Sequence, residues 1–337
     1  MKKIKVIDLF AGIGGIRLGF ERASKSGIEC VFTSEWDKFS VETYKANFGD
    51  EKIFGDITKV KTQDIPKHDV LLAGFPCQPF SQAGLKKGFS DTRGTLFFDI
   101  ERILKSKKPA AFLLENVKQL RGHDKGRTLE VILEHLRKIG YENIQYKVLR
   151  ARDFGLPQNR ERIYIVGFLD NNIMFDFPTP TFEKTRVGNI LQANVDDKYT
   201  ISDKLWAGHQ RRKRENKLKG KGFGYGIVNH ESEYTNTISA RYYKDGSEIL
   251  IEQKGKNPRK LTPREAARLQ GFPDNFIIPV SNTQAYRQFG NSVPVSVVEQ
   301  VALQMLKHLE IHTEKQQDIT THFTSDSQIQ PAYSAIL

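Results

Sequence analysis

The sequence predicts an α/β fold, an open parallel sheet with crossover helices, followed by a smaller, mostly β region. Three observations carry that prediction. Apolar runs suited to strands alternate with amphipathic segments through the first half of the chain. A glycine-rich turn, AGIGG at Ala11–Gly15, stands where the first run meets its helix. At MFDFPTPTF the prolines Pro178 and Pro180 break both patterns, and the chain beyond them is basic, then glycine-rich and β-prone.

From the N-terminus onward, IKVIDLF (Ile4 to Phe10) reads as a strand and IRLGFERA (Ile16 to Ala23) as its helix. CVFTSEW, DVLLAGF and AFLLENV continue the strands; WDKFSVETYKANF and TLFFDIERILKS continue the helices. Between Thr128 and Ile139, the residues Leu129, Ile132, Leu133, Leu136 and Ile139 recur on one helix face and should pack on the sheet. IYIVGF (Ile163 to Phe168) reads as the last strand of this region. The segment TNTISARYYKDGSEILIEQ holds two β-prone runs around Asp245-Gly246, a hairpin signal. A helix should begin near Thr262, and a final amphipathic helix should turn Val298, Val301, Met305 and Leu309 to one side. These readings divide the chain into 1–177, completed by 283–312, a second region over 178–282, and a polar tail over 313–337.

The 337 residues suffice for a large core, and 52 Lys and Arg against 40 Asp and Glu leave a formal charge of +12. Such a balance favours a polyanionic partner, although charge alone fits a merely soluble basic protein as well. The two cysteines, Cys30 and Cys77, exclude a disulfide framework and a four-thiolate zinc site, and point to a reducing, cytoplasmic setting. No apolar run approaches membrane-spanning length. No metal site, no membrane association and a monomeric protein are expected.

At the turn, Gly12, Gly14 and Gly15 would let a ligand approach the backbone, and Glu35, at the end of the second strand, could accept hydrogen bonds from ribose hydroxyls. That combination favours an adenosine-containing ligand; the plainer alternative is a tight turn that needs glycine for its geometry. Asp56 adds a carboxylate at the same edge, with helix capping as its alternative role. GFPCQPFS places Cys77 just beyond another strand, while Glu115 ends AFLLENV and Arg160 and Arg162 open the last strand. Each has a plainer reading alone: a small buried hydrophobe, a capping carboxylate, surface ion pairs. Thiol, carboxyl and guanidinium converging on one sheet edge point instead to a reactive site.

DLFAGIGG, SEWD, GDIT, GFPCQPFS, GTLFFDI, ENV, QNRERIYIVG, LTPREAARLQGFPD and QFGNSVP occur in the order of one family and span nearly the whole chain. The sequence resembles the DNA (cytosine-5) methyltransferases of bacterial restriction-modification systems. The resemblance implies a Rossmann-like S-adenosylmethionine-dependent methyltransferase domain with a target-recognition domain inserted before the last motifs. It also implies S-adenosyl-L-methionine as donor, S-adenosyl-L-homocysteine as product, and a cytosine flipped out of duplex DNA as substrate. Cys77 would be the thiolate that adds to C6, giving C5 enamine character; Glu115 would serve N3 and the exocyclic amine, Arg162 would serve O2, and Arg160 would help keep the thiol ionised. Phe10, Glu35, Trp36, Asp56, Ile57, Leu96, Asn291 and Ser292 match cofactor positions, with Phe75 and Pro76 beside them. Trp36 has core packing as its alternative.

For the duplex, the loop after Cys77 offers Ser81, Lys86, Lys87 and Arg93. Arg211 to Lys221 holds seven basic residues, among them Arg212, and is a candidate phosphate surface. TNTIS resembles the short Thr-centred motif of the family's recognition domains, which suggests Thr237 near the backbone and Arg241, Tyr242 or Lys244 near base edges. A zinc deaminase is excluded because PCQPF lacks the second cysteine, and a cysteine hydrolase lacks a patterned histidine. A nicotinamide oxidoreductase would leave Cys77, Glu115 and Arg162 unexplained. An RNA cytosine-5 methyltransferase of the same fold is the nearest alternative, and a cognate restriction endonuclease acting on the same site is the implied companion.

Overall fold

In the computed structural model the described residues are 3–49, 52–76, 96–222 and 224–309. Seven strands form one sheet in the order β3-β2-β1-β4-β5-β7-β6. They are β1 (Ile4–Leu9), β2 (Ile28–Ser34), β3 (Ile53–Phe54), β4 (Val70–Gly74), β5 (Ala111–Val117), β6 (Ile144–Arg150) and β7 (Glu161–Phe168). The first five run parallel, and the order reverses between β1 and β4. Such a switch point opens a crevice at the carboxyl ends of the two strands. Here those ends are the glycine turn and Gly74-Phe75-Pro76.

The expectation of an all-parallel sheet fails at its far edge. β7 lies between β5 and β6 and is antiparallel to both. An apolar run such as IYIVGF reports burial on both faces but not direction, and β6, with its half-polar alternation, gives no comparable apolar signal.

Alternate side chains of the sheet feed two cores. On one face, Val6, Leu72 and Leu113 meet α1 (Gly15–Ala23) through Ile16 and Phe20, and α8 (residues 295–309) through Val298, Val301, Met305 and Leu309. On the other, Ile7, Leu71 and Phe112 meet α3 (Phe97–Lys107) and α4 (Arg127–Lys138). Leu129, Ile132, Leu133 and Leu136 of α4 are buried as their spacing requires. The helix α2 (Lys38–Phe48) starts at Asp37, whose carboxylate accepts from the Ser40 amide.

A third core gathers Val187, Ile238, Tyr242, Ile249 and Leu261 with α6 (Pro263–Leu269) and α7 (Asn282–Asn291). Thr262 caps α6 in a capping box with Glu265, and Pro263 takes the first helical position. The chain rejoins the first core with Val293 and α8.

This smaller region is not mostly β: among its described residues, its paired strands are β8 (Ile227–Val228) and β9 (Leu250–Ile251), parallel and two residues each. The 16-residue helix α5 (Asp203–Leu218) exceeds both. The hairpin at Asp245-Gly246 does not form, because the preceding segment winds instead of extending. Tyr242, Lys244 and Gly246 amides donate to Ser239, Arg241 and Tyr242 carbonyls. Asp245 spends its carboxylate on the Ser247 amide and on Arg212. Gly246 still adopts the positive φ that its neighbourhood requires, 65°.

Candidate active site

A cleft of about 970 Å³ opens at the switch point. Its walls come from the glycine turn, the ends of β2, β4 and β5, the start of β7, and the α7–α8 connection.

The turn is built by backbone geometry. Phe10 and Gly12 hold φ at 54° and Gly14 at 80°, so the chain leaves β1 in a left-handed turn and enters α1 at Gly15. A Cβ on Gly15 would stand 2.8 Å from Ser292 Oγ and 2.9 Å from Val293 Cγ2, so the α7–α8 connection closes directly on the turn. Glu35 braces the arrangement: one carboxylate oxygen accepts from the Gly12 amide at 2.7 Å, the other from the Asp37 amide at 2.8 Å. Burial lifts the Glu35 carboxyl above its ordinary value, against the backbone donors that favour its charge. Next to it, Trp36 is 82% exposed on the cleft wall, which rules out the core-packing alternative. Asp56 combines both readings: it caps the short helix Ile57–Lys59 and lines the cleft with Ile57.

Deeper in, Glu115 and Arg162 lie on one face of the antiparallel β5–β7 pair. Val117 stands opposite Arg162, so Glu115 is its diagonal neighbour, and Arg162 Nε lies 3.1 Å from Glu115 Oε1. Burial raises the Glu115 pKa, while Arg162 and then Arg160 pull it down; the net direction is upward. Asn116 Nδ2 donates to Phe75 O at 2.9 Å, which fixes the strand end leading to Cys77.

Phe10, Gly12, Gly15, Glu35, Trp36, Asp56, Ile57, Phe75, Pro76, Leu96, Asn291 and Ser292 all line this cleft together with Glu115 and Arg162. Gly14 shapes the turn without lining it. Cys77, Ser81, Lys86, Lys87 and Arg93 lie outside the described residues. Asn116, Arg287 and Gln288 also line the cleft. Asn116 and Gln288 sit in quoted motifs, the first as the neighbour of a carboxylate and the second at the start of QFGNSVP; Arg287 shows only in three dimensions.

Two assignments need correction. Arg160 is 1% exposed and does not line the cleft: its guanidinium donates to the carbonyls of Ile238, Gly290 and Ser292. Tyr242 is fully buried, donates to Ile249 O and accepts from the Leu261 amide, so it has no edge to offer a base. Arg241 and Lys244 are exposed beside it, as are Arg211, Arg212 and Lys221. Thr237 is half-buried, with its hydroxyl donating to Asn159 O at 2.6 Å. Helix α5 packs on the same segment, where His209 meets Asp245 O and Arg212 pairs with the Asp245 carboxylate at 3.1 Å.

Among the described residues there is no group of three His, Cys, Asp or Glu suited to a metal, and no helix is long and apolar enough to cross a membrane.

The model of C-5 cytosine-specific DNA methylases matches residues 4–307. A type II methyltransferase of Neisseria lactamica, M.NlaX, is 71% identical over 89% of this chain and 96% of its own. A second, M1.ScrFI of Lactococcus lactis subsp. cremoris, is 68% identical over 91% of this chain and 79% of its own. Among solved structures, the S. pombe Dnmt2 methyltransferase superposes with a TM-score of 0.75 at 22% identity, covering 91% of this chain and 99% of that one, a likeness of fold.

Proposed function

The chain belongs to the C-5 cytosine-specific DNA methylase family and is a type II DNA (cytosine-5-)-methyltransferase of a restriction-modification system, and from this we propose how its residues divide the reaction. The observation that carries the proposal is the shared cleft: a glycine turn braced by Glu35 at one end and the Glu115–Arg162 pair at the other.

The cleft suits S-adenosyl-L-methionine. Glu35 offers a carboxylate at the position where a ribose would lie, Trp36 an unpacked ring, Phe10 a second ring, and Asp56 an acceptor near an adenine amino group. When bound, that group supplies an electrophilic methyl on a sulfonium centre.

Duplex DNA must release the target base, because a stacked cytosine hides its ring face. Cys77, bonded to the cleft residue Pro76, adds as thiolate to C6 of the extruded ring. Negative charge then develops at N3 and O2. Glu115, whose buried carboxyl holds its proton more readily than an exposed one, donates toward N3, and the Arg162 guanidinium offers donors to O2. C5 takes the methyl group, a base removes the C5 proton, and the electron pair returned to the ring expels the Cys77 thiolate. S-adenosyl-L-homocysteine is the co-product.

Around this site, the exposed Arg241 and Lys244 would reach base edges, and the basic run of α5 would meet phosphates. The enzyme works in the cytoplasm, where its methyl mark protects host DNA from a cognate endonuclease that need not touch it.

A duplex carrying 5-fluorocytosine at the target position tests the division of labour, since fluorine cannot leave as a proton does. With donor present, the wild-type chain should become covalently attached to DNA through Cys77, and peptide mapping should place the adduct there. Substantial methylation of ordinary DNA by Cys77→Ser would overturn the assignment.

A further inference from the structure

Arg160 carries a buried charge that does not enter the cleft. Its Nη1 donates to Ile238 O at 3.0 Å, its Nη2 to Gly290 O at 3.0 Å and Ser292 O at 2.5 Å. Among the described residues its Nε has no partner. Burial pulls its pKa down to about 9, with Arg162 adding to the effect and Glu115 opposing it.

A second route runs alongside. Gln158 accepts from the Ile238 amide at 3.1 Å and donates to Gln270 Oε1 at 3.0 Å; Gln270 donates in turn to Phe289 O at 2.5 Å and Ser292 O at 3.4 Å. The backbone of Ile238 is therefore gripped at both its N–H and its C=O, and both routes end at Ser292. Nearby, Asn159 N donates to Thr235 O, and the Thr237 hydroxyl to Asn159 O. Gly290 lies so close to Ser239 and Ala240 that a Cβ would collide with their backbone.

Stability alone does not call for this arrangement. A guanidinium buried on carbonyls, with one nitrogen unpaired, loses its hydration, and apolar packing of similar volume is as stabilising or more so. What apolar packing cannot do is hold one backbone segment in register with another. The two segments here are the one that carries Arg241 and the one that lines the cleft with Asn291 and Ser292.

We propose that Arg160 is a positioning residue that couples duplex binding to cofactor binding, by locking the segment around Ile238 to the Gly290–Ser292 connection. The proposal rests on the functional reading above. A duplex that orders the first segment presets the second, and linkage makes the effect mutual. A purely structural staple would lower both affinities, or stability, without changing how one ligand affects the other.

Two variants test this: Arg160→Lys, which keeps charge but loses the fork, and Gln270→Met, which cuts the parallel route at similar volume. Bisulfite sequencing of plasmid from an expressing host supplies the site for the duplex, and calorimetry gives the Kd for S-adenosyl-L-homocysteine with and without it. In the wild type the duplex should tighten that Kd by about tenfold or more, a usual size for coupled sites. In each variant the ratio should fall to about threefold or less, with the affinity in the absence of DNA changed by less than about threefold. If Arg160→Lys does not fold, Gln270→Met decides by itself. A wild-type ratio near one, or folded variants that keep the wild-type ratio, would overturn the coupling while leaving the enzyme's function intact. A wild type that binds neither ligand would overturn the function itself.

Discussion

Glu115 holds one carboxyl between opposing influences: a buried strand end that favours the neutral form and a guanidinium 3.1 Å away that favours the charged one. With its net shift upward, the linked stability is fully present below the unfolded-state value and is lost as pH rises through the folded-state value. Activity that needs the protonated carboxyl should fall along the same limb. Glu115→Gln should therefore lower the methyl-transfer rate by about 100-fold or more, the usual size of a lost general acid, and abolish that pH limb. Single-turnover rates across pH, beside S-adenosyl-L-homocysteine titrations, would measure both; equal losses in rate and cofactor affinity would remove Glu115 from ring activation. Sequence exposes Glu115 and Arg162 because both stand at ends of recognisable strands. It misplaces Arg160 and Tyr242 because side-chain type does not say whether a charge or ring faces the cleft or the interior. Arg160 spends its donors on carbonyls up to 132 residues away, a pairing no local pattern encodes.

Among the elements, helices are the most legible, since burial at 3.6-residue spacing marks a face directly, as Leu129, Ile132, Leu133 and Leu136 do. Strand direction leaves no such mark, so the apolar run of β7 reads as parallel when it is not. The hairpin at Asp245-Gly246 fails for a different reason: local side-chain bonds from Ser239 and Asp245 outcompete extension. The start of α6 is legible in Thr262-Pro263, but its anchoring is not. Glu265 is completely buried, accepts from the Thr262 and Gln192 amides, and meets Arg259 through contacts of 2.7 and 2.9 Å. Breaking such a pair leaves a buried cation uncompensated, so Glu265→Ala should cost about 3–5 kcal/mol. Thr262→Ala, which removes the cap and the hydroxyl's bond to Gln192 Oε1, should cost about 1–2 kcal/mol. Urea denaturation of both variants would decide; equal costs would show that the pair contributes no more than the cap.

Over the whole molecule, the +12 charge has a structural address in part. Helix α5 ends in a basic run, and its attachment through His209 and Arg212 sets it beside the segment carrying Arg241 and Lys244. Within the run the cations are not equivalent: Arg211 faces Glu215 at 3.7 Å and Arg212 faces Asp245, whereas Arg214 and Lys217 are exposed and form no ion pair among the described residues. A free cation that neutralises a phosphate releases a counterion on binding; one already paired within the protein releases less. Arg214 and Lys217 should thus contribute more to the electrostatics of duplex binding than their two paired neighbours. Replacing both with alanine should weaken binding to specific and random duplexes alike and reduce the slope of log K against log salt by about 2, one unit for each phosphate contact. Lys105, exposed on α3, serves as the control, and Lys105→Ala should leave the slope unchanged. Fluorescence anisotropy across a salt series measures all three proteins. A double variant with the wild-type slope would move the phosphate surface away from α5, and a loss confined to the specific duplex would make these side chains readers of sequence instead of holders of the backbone.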